Sequence, residues 1–561
     1  MPVDRTHLIP LSIAATGHRD IPPASVAPLE AQVQRVLEEL KAAAPHTPLE
    51  VFSALAEGAD RLVARVALRV GARLIVPLPM ELEQYVEDFP DPASRHELQQ
   101  LLDRADRTFV VPAPPDDDGD RSNAYARLGA YLARHSHVLI AVWNGLDPQK
   151  LGGTADVVRF KLEGVPATYQ QSECLLLSSE TGPVYHVVTP RLSNPSITEP
   201  PHTIVLRYPK SHVAEESAQQ MWKNLVDKTD GFNRDAAEQS EKTKRQRASS
   251  RQELLKYVDE TFLDPAMRAT LDLFEYADAL AIGFQMRTSI FLRSIFFIVF
   301  AAAVAFEIYA HHVWEEIAMI AIYVALLVVA YFINRREKKS RDQDKHLDYR
   351  ALAEGLRVQY YWQLAGVHPT AADHYLRHQR HELDWIRAAI RGRSAEVYPG
   401  ISLASRLERL TVALQAWVQG QYAYFNKTLG RYKAQRHTVE RRVHVLIGAG
   451  IAAAMILIFT KPWLKQQGLH GYAVLTIGVL LVAAGLLHAY LDKRALSSHI
   501  KRYSRTLQLY DDAKRQIEEA LARNDEKRAC KLFRELGREA LDENSDWVVV
   551  VRDRPLEVPV H

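Results

Sequence analysis

Residues 289–310 read SIFLRSIFFIVFAAAVAFEIYA, a nearly unbroken apolar stretch in a chain of 561 residues. Similar apolar stretches follow at residues 317–333, 443–460 and 472–490. Each stretch is close to the length of ~20 residues that an α-helix needs to cross a lipid bilayer. The sequence therefore predicts a multi-pass membrane protein with four spans, arranged as two helical hairpins.

Basic residues flank both hairpins on the same side of the predicted membrane. They are Arg287, the cluster within residues 335–341, Arg441, Arg442, Lys493 and Arg494. Because basic flanks stay on the cytoplasmic side of a membrane, we expect both termini to be cytoplasmic. The expected location is the cytoplasmic (inner) membrane.

The overall composition excludes several classes of protein. The net charge is +2, so the chain as a whole has no excess of positive charge for a nucleic-acid partner. Two cysteines, Cys174 and Cys530, provide neither a disulfide framework nor the spacing of a zinc site. We therefore expect no metal and no tightly bound cofactor.

Short apolar runs alternate with amphipathic segments in the N-terminal third of the chain. Strands are predicted at residues 11–15, 50–54, 73–78, 108–111, 137–142, 183–189 and 203–207. Regular alternation of strand, turn and helix predicts a parallel sheet with helices on both faces. The predicted fold class is thus a Rossmann-like α/β domain followed by an α-helical membrane region of four spans with cytosolic helices.

Three turns of this domain are predicted at the carboxyl edge of the sheet, where ligands bind in such folds. The turns supply the candidate ligand-binding residues Gly17, His18, Arg19, Glu57, Gly58, Asp60, Arg61, Gly152, Gly153 and Thr154. Glycines permit close backbone approach, arginines pair with phosphate, and helix N-termini favour anions. Any one such turn is also explained by the backbone needs of a strand–helix connection, but three at one edge favour a nucleotide-type ligand.

The same segments carry a family resemblance. The sequences TGHRD, SALAEGADRLVA, VLIAVWNG and GGTADVV, in this order within residues 8–190, resemble the SLOG superfamily. This group includes LOG-type phosphoribohydrolases, DprA-like proteins and nucleotide sensors of prokaryotic conflict systems. The resemblance implies a domain that binds a nucleotide or a nucleotide-derived second messenger.

The LOG signature PGGxGTxxE is only partly present. Gly152, Gly153 and Thr154 match it, but the leading proline, the spaced Gly-Thr and the final glutamate are missing, and Asp156 is the nearest carboxylate. This departure favours ligand sensing over hydrolysis. The alternative is a membrane-tethered enzyme that processes a nucleotide with Glu57, Asp60 or Asp156, and a third option is a scaffold whose fold has lost its ligand.

The final part of the chain, with its two spans, resembles SLATT-type effector domains, which implies a pore-forming, ion-channel role in antiviral defence or stress signalling. A short strand is predicted at Trp547–Val551. The predicted organisation is a SLOG-like domain (1–212), a linker and coupling helix (213–288), hairpin 1 (289–334), a cytosolic helical region (335–442), hairpin 2 (443–491) and a C-terminal cytosolic region (492–561).

Acidic residues cluster at the outer end of the first hairpin. Glu307, Glu315 and Glu316 would form a ring at a pore mouth if the chain is a homo-oligomer, which we expect. Small residues in the spans favour close packing of the helices but do not indicate the number of subunits. The alternative is that these glutamates are solvated residues at the membrane interface.

Overall fold

The fold was examined in a computed structural model. It describes residues 7–113, 119–147, 151–169, 180–209, 215–311, 316–367, 370–376, 383–394, 405–494 and 496–552.

The N-terminal part contains a seven-stranded sheet. Its strands are β1 (Leu11–Gly17), β2 (Leu49–Phe52), β3 (Arg73–Leu78), β4 (Arg107–Val110), β5 (Val138–Trp143), β6 (Val184–Val188) and β7 (Ile204–Arg207). Their order is β4-β3-β2-β1-β5-β6-β7, and only β7 runs antiparallel to its neighbour. Each strand lies within two residues of its predicted position. The predicted Rossmann-like sheet is confirmed.

Helices cover both faces of this sheet. They are α1 (Pro23–Ala43), α2 (Ala59–Arg69), α3 (Leu82–Val86), α4 (Pro92–Leu102), α5 (Arg121–His135) and α6 (Thr154–Glu163). Leu29 and Val33 of α1 pack with Leu62 of α2 on one face, whereas Leu128 of α5 and Val157 of α6 pack on the other. Strands β1 to β4 progress in one direction, and β5 then returns to the other side of β1. The sheet therefore has its topological switch point between β1 and β5.

The remainder of the described chain is helical. Its helices are α7 (Glu215–Glu238), α8 (Ser240–Leu255), α9 (Pro265–Ala310), α10 (Glu316–Ser340), α11 (Asp342–Ala365), α12 (Asp384–Ser394), α13 (Arg406–Ala413), α14 (Gly420–Gln466), α15 (His470–Lys493), α16 (Leu496–Ala522) and α17 (Glu526–Arg552). The predicted coupling helix and the first span are one continuous helix, α9. Likewise, α14 runs without a break from the cytosolic region into the third span.

Four of the helical segments are long and apolar enough to span a membrane. Only 6% to 17% of their apolar windows is buried inside the molecule, so most of these side chains have no protein neighbour to cover them. Phe297, Ile317 and Phe459, for example, are 71%, 83% and 85% exposed. Such surfaces require lipid, which supports the prediction of a multi-pass membrane protein.

The predicted strand at Trp547–Val551 is wrong, because these residues form the last turns of α17. Val548 is fully buried, and the ring of Trp547 contacts His346 at 6.2 Å between ring centroids. The run of valines has a high strand propensity, but packing against the helical core overrides it.

The centre of the helical core is α11, whose Trp362 is fully buried and donates its indole N–H to the carbonyl oxygen of Phe533, at 3.1 Å. This contact brings α17 so close that a Cβ atom on Gly537 would overlap the indole ring.

We therefore expect Gly537→Ala to destabilise the protein by about 1–3 kcal/mol through overpacking. Gly430 in α14 has no neighbouring atom near its missing Cβ, so Gly430→Ala is the matched control and should stabilise the helix by about 0.5–1 kcal/mol. Thermal unfolding of the purified protein in detergent measures both. An unchanged melting temperature for Gly537→Ala would contradict the α11–α17 packing.

Candidate functional site

A cavity of about 470 Å³ lies at the carboxyl edge of the sheet, at the switch point between β1 and β5. It brings together residues from all three predicted turns. The predicted residues that line it are Gly17, His18, Arg19, Asp60, Gly152, Gly153 and Thr154. Glu57, Gly58 and Arg61 are not part of its lining.

His18 joins the two strands at the switch point. Its backbone N–H donates to the carbonyl oxygen of Val142 at 3.0 Å, and its Nε2 accepts from the backbone N–H of Asn144 at 2.9 Å. Burial lowers the pKa of His18 to about 4. The imidazole is therefore neutral at pH 7, as an acceptor nitrogen must be.

Two of the predicted glycines permit close packing of backbone. A Cβ on Gly17 would overlap the carbonyl oxygen of Val142 and the Cβ of Ala59. Gly58 has a φ of +77°, and a Cβ there would overlap the carbonyl oxygens of His18 and Arg19. These glycines bring β1, β5 and the start of α2 together, and so they shape the floor of the cavity.

The guanidinium of Arg61 is directed away from the cavity. It is 1% exposed and donates to the carbonyl oxygens of Leu55 and Ser94, both at 2.9 Å. It also pairs with Glu97, at 3.0 Å, and Glu57 accepts from the hydroxyl of Ser94. Both predicted residues thus tie α2 and its preceding turn to α4.

Arg19 is the predicted cation that does face the cavity. Its Nη2 donates to the hydroxyl of Tyr125 at 3.0 Å and lies 3.8 Å from the carboxylate of Asp88. Its side chain is 42% exposed, so the guanidinium is accessible to an incoming anion.

Two further arginines line the cavity, and the sequence did not single them out. Arg121, at the start of α5, pairs with Asp88. Arg191, just after β6, donates to Asp20 at 2.8 Å. Arg191 follows a strand at the same edge as the three predicted turns, so the rule that identified those turns would have found it. Arg121 begins the helix that follows β4 at this same edge, so the same rule would have found it as well.

The start of α6 forms one wall. Gly153 is its N-cap and provides no side-chain oxygen, so no side chain caps the first backbone N–H groups of the helix. Gly152 packs against α5, where a Cβ would lie 2.9 Å from the backbone nitrogen of Ala126. Asp156 accepts from the N–H of Gly152 at 2.9 Å and pairs with Arg159. The exposed helix end favours an anion.

Asp60 is the buried carboxyl group of the cavity. It is 7% exposed, and burial raises its pKa to about 7, although Arg19 and Arg61 favour its charged form. A carboxyl group with this pKa changes its protonation state near neutral pH.

Of the three acidic residues predicted at a pore mouth, Glu307 is the one whose side chain the structure describes. Glu307 lies 3.3 Å from the imidazole of His311, and its carboxyl group faces Gly478 of α15. It therefore contributes to the packing between the two hairpins. Glu315 lies outside the described residues, and of Glu316 only the backbone, at the start of α10, is described.

No protein-family model matches this chain, and none of the curated proteins matches it either. Within the described ranges, no group of three or more His, Cys, Asp or Glu side chains is placed to hold a metal ion.

The raised pKa of Asp60 predicts a pH dependence of stability. Below the unfolded-state pKa of 3.8 the carboxyl is protonated in both states and contributes nothing. As the pH rises to about 7 the unfolded state ionises first, so stability is lost over this range. We expect Asp60→Asn to remove this loss and to raise the melting temperature at pH 8.

The control for this measurement is Asp103→Asn, which removes the same charge from the exposed end of α4. Melting temperatures recorded between pH 4 and pH 8 compare the three proteins. If Asp60→Asn follows the wild-type profile throughout, Asp60 does not have a raised pKa.

Proposed function

We propose that this protein is a nucleotide-sensing membrane effector, in which a ligand in the N-terminal cavity opens or assembles a pore formed by the spans of a homo-oligomer. The observation that carries the proposal is the cavity itself, because three arginines and an uncapped helix N-terminus meet at the switch point of a Rossmann-like sheet. This combination suits phosphate groups. Its volume of about 470 Å³ is in the range of small-molecule sites.

The expected ligand is a nucleotide or a nucleotide-derived second messenger. Arg19 and the start of α6 would bind its phosphates. Asp60 is placed for a polar group of a sugar or base, and the ring of Trp143 borders the cavity.

A route from the cavity to the helical region supports the sensing role. Helix α5 lines the cavity through Arg121 and Tyr125 at its start, and at its end Arg134 makes two hydrogen bonds to Asp373, at 2.9 and 3.1 Å. A ligand that moves the first turn of α5 would therefore act on the far contact as well.

The contact at the end of α5 belongs to a buried ionic network. Arg391 of α12 pairs with Asp373, at 3.1 Å, and with Glu180 of the N-terminal domain, at 2.6 Å. Arg387 pairs with Glu180 at 2.8 Å. Arg387, Arg391 and Asp373 are at most 8% exposed. Removing one partner from such a buried network strongly destabilises the folded state, so the network holds the N-terminal domain firmly against α12.

From α12 the route continues to the membrane. Helix α12 packs against α9 and α11, and α9 is the helix that continues into the first span. A ligand shifts the equilibrium of this assembly only by its difference in affinity for the two states. Because α9 continues into the first span, a movement of α12 can reach the membrane without passing through a loop.

We expect Arg19→Gln to weaken ligand binding at least ten-fold while membrane insertion stays intact, since a charged hydrogen bond to phosphate contributes about 1.5–3 kcal/mol. The full-length protein is incubated with mono-, di- and cyclic oligonucleotides and NAD derivatives, and its melting temperature is recorded. A ligand at about 100 times its dissociation constant adds roughly 2.7 kcal/mol. Arg35→Gln, on the exposed side of α1, is the control. Equal ligand shifts in both variants would place the site elsewhere.

We expect Arg134→Leu to separate binding from response. The cavity is untouched, so the ligand still raises the melting temperature, and Asp373 keeps its pairing with Arg391. Leakage of a dye from liposomes that contain the protein should become independent of ligand, because α5 no longer contacts Asp373. Ligand-dependent leakage at the wild-type level would exclude this route.

A second candidate function is a membrane-tethered nucleotide-processing enzyme, and Asp60 is the observation that favours it. Its carboxyl faces the cavity with a pKa raised to about 7 by burial, the range of a general acid or base. Chromatography of the ligand after the same incubation distinguishes the two functions. Recovery of intact ligand supports the sensor, whereas a product that is absent with Asp60→Asn supports the enzyme.

A further inference from the structure

A second and larger cavity, of about 1030 Å³, lies beside the segments of α9 and α14 that lead into the first and third spans. It is enclosed by α9, α11, α14, α16 and α17, between the two hairpins. The functional site described above shares none of its residues. We call it the junction cavity.

The charges of the junction cavity are not balanced. Six arginines and four carboxylates line it, a formal excess of two positive charges. The carboxylates are already paired. Glu354 binds Arg350 and Arg357, Asp278 binds Arg350 at 2.9 Å, Glu543 binds Arg502, and Glu253 lies 3.8 Å from Arg357.

Three arginines remain, namely Arg293, Arg431 and Arg494. Among the described residues, no carboxylate forms an ion pair with any of them. They come from three different helices or helix ends. Arg293 lies near the start of the first span in α9, Arg431 lies in α14 before the third span, and Arg494 directly follows the fourth span. Arg293 and Arg431 are exposed, so their guanidinium groups are accessible.

The rim of the cavity is apolar where it meets the predicted membrane surface. Met286 and Ile290 of α9 line it and are 61% and 55% exposed. A cavity with unpaired guanidinium groups inside and apolar side chains at its rim matches a molecule with an anionic head and a hydrocarbon tail. A free phosphate compound has no hydrocarbon tail that could contact the apolar rim.

We propose that the junction cavity binds the phosphate head group of an anionic phospholipid from the adjacent leaflet, with Arg293, Arg431 and Arg494 as its ligands. Basic pockets between spans are suited to such head groups. The lipid would bridge the two hairpins on the side from which α9 and α14 enter the membrane. This proposal does not depend on the identity, or the existence, of a nucleotide ligand in the N-terminal domain.

The test uses the full-length protein in detergent, titrated with phosphatidylglycerol, phosphatidylcholine or soluble glycerol 1-phosphate, with bound lipid counted by native mass spectrometry. The test variant combines Arg293→Gln, Arg431→Gln and Arg494→Gln. Each charge near an anionic head group contributes about five-fold in affinity, so we expect roughly 100-fold weaker binding of phosphatidylglycerol.

The control variant combines Arg335→Gln, Arg336→Gln and Arg441→Gln, which removes the same charge from exposed residues near the same membrane surface but outside the cavity lining. It should bind phosphatidylglycerol as the wild type does. Unfolding without lipid checks that both variants fold, and a matching set of lysine substitutions at Arg293, Arg431 and Arg494 should restore most of the affinity.

Selective binding of phosphatidylglycerol over phosphatidylcholine, lost only in the test variant, supports the proposal. Equal binding of glycerol 1-phosphate, lost in the same variant, would retain the phosphate site but assign it to a soluble ligand and so overturn the lipid. Unchanged lipid binding in the test variant, or an equal loss in the control, would overturn the site.

Discussion

One continuous helix, α9, lies in two environments, a protein core and the lipid that its apolar second half requires. Its first half is buried in protein, where Leu271, Phe274 and Ala277 are fully covered, and its second half carries apolar side chains that protein leaves exposed. An α-helix satisfies its own backbone hydrogen bonds, so it can pass from a protein core into hydrocarbon without a break. Helix α11 covers the first half of α9, while α10 and α15 accompany the second half.

A chain of contacts connects the N-terminal domain to the spans. The N-terminal domain is joined to the helical core by buried ion pairs, which have few alternative arrangements. The core in turn holds the two long helices that enter the membrane. Under the proposed function, a small change at the switch point of the sheet would reach the spans through these contacts.

The sequence predicted most of the residues of the candidate site, but it did not predict the role of each one. The rule that ligands bind at the carboxyl edge of a parallel sheet placed seven of the ten candidate residues around one cavity. It did not distinguish Arg19, which faces the cavity, from Arg61, which faces α4. Both follow a strand within a glycine-containing turn, and only the position of α4 determines which guanidinium is buried. Arg121 begins α5, which follows β4 at this same edge, so the rule would have found it if it had been applied to that connection too.

The sequence by itself determined the elements: seven strands from their apolar runs, four spans from their length, and the order that makes the sheet parallel. These features depend on local periodicity and on hydrophobicity, which neighbouring residues encode. Only the tertiary structure decided that Trp547–Val551 is helical, that Glu307 faces Gly478, and that six arginines surround the junction cavity. Each of these depends on side chains far apart in the chain, and burial and charge pairing between such residues leave no local pattern.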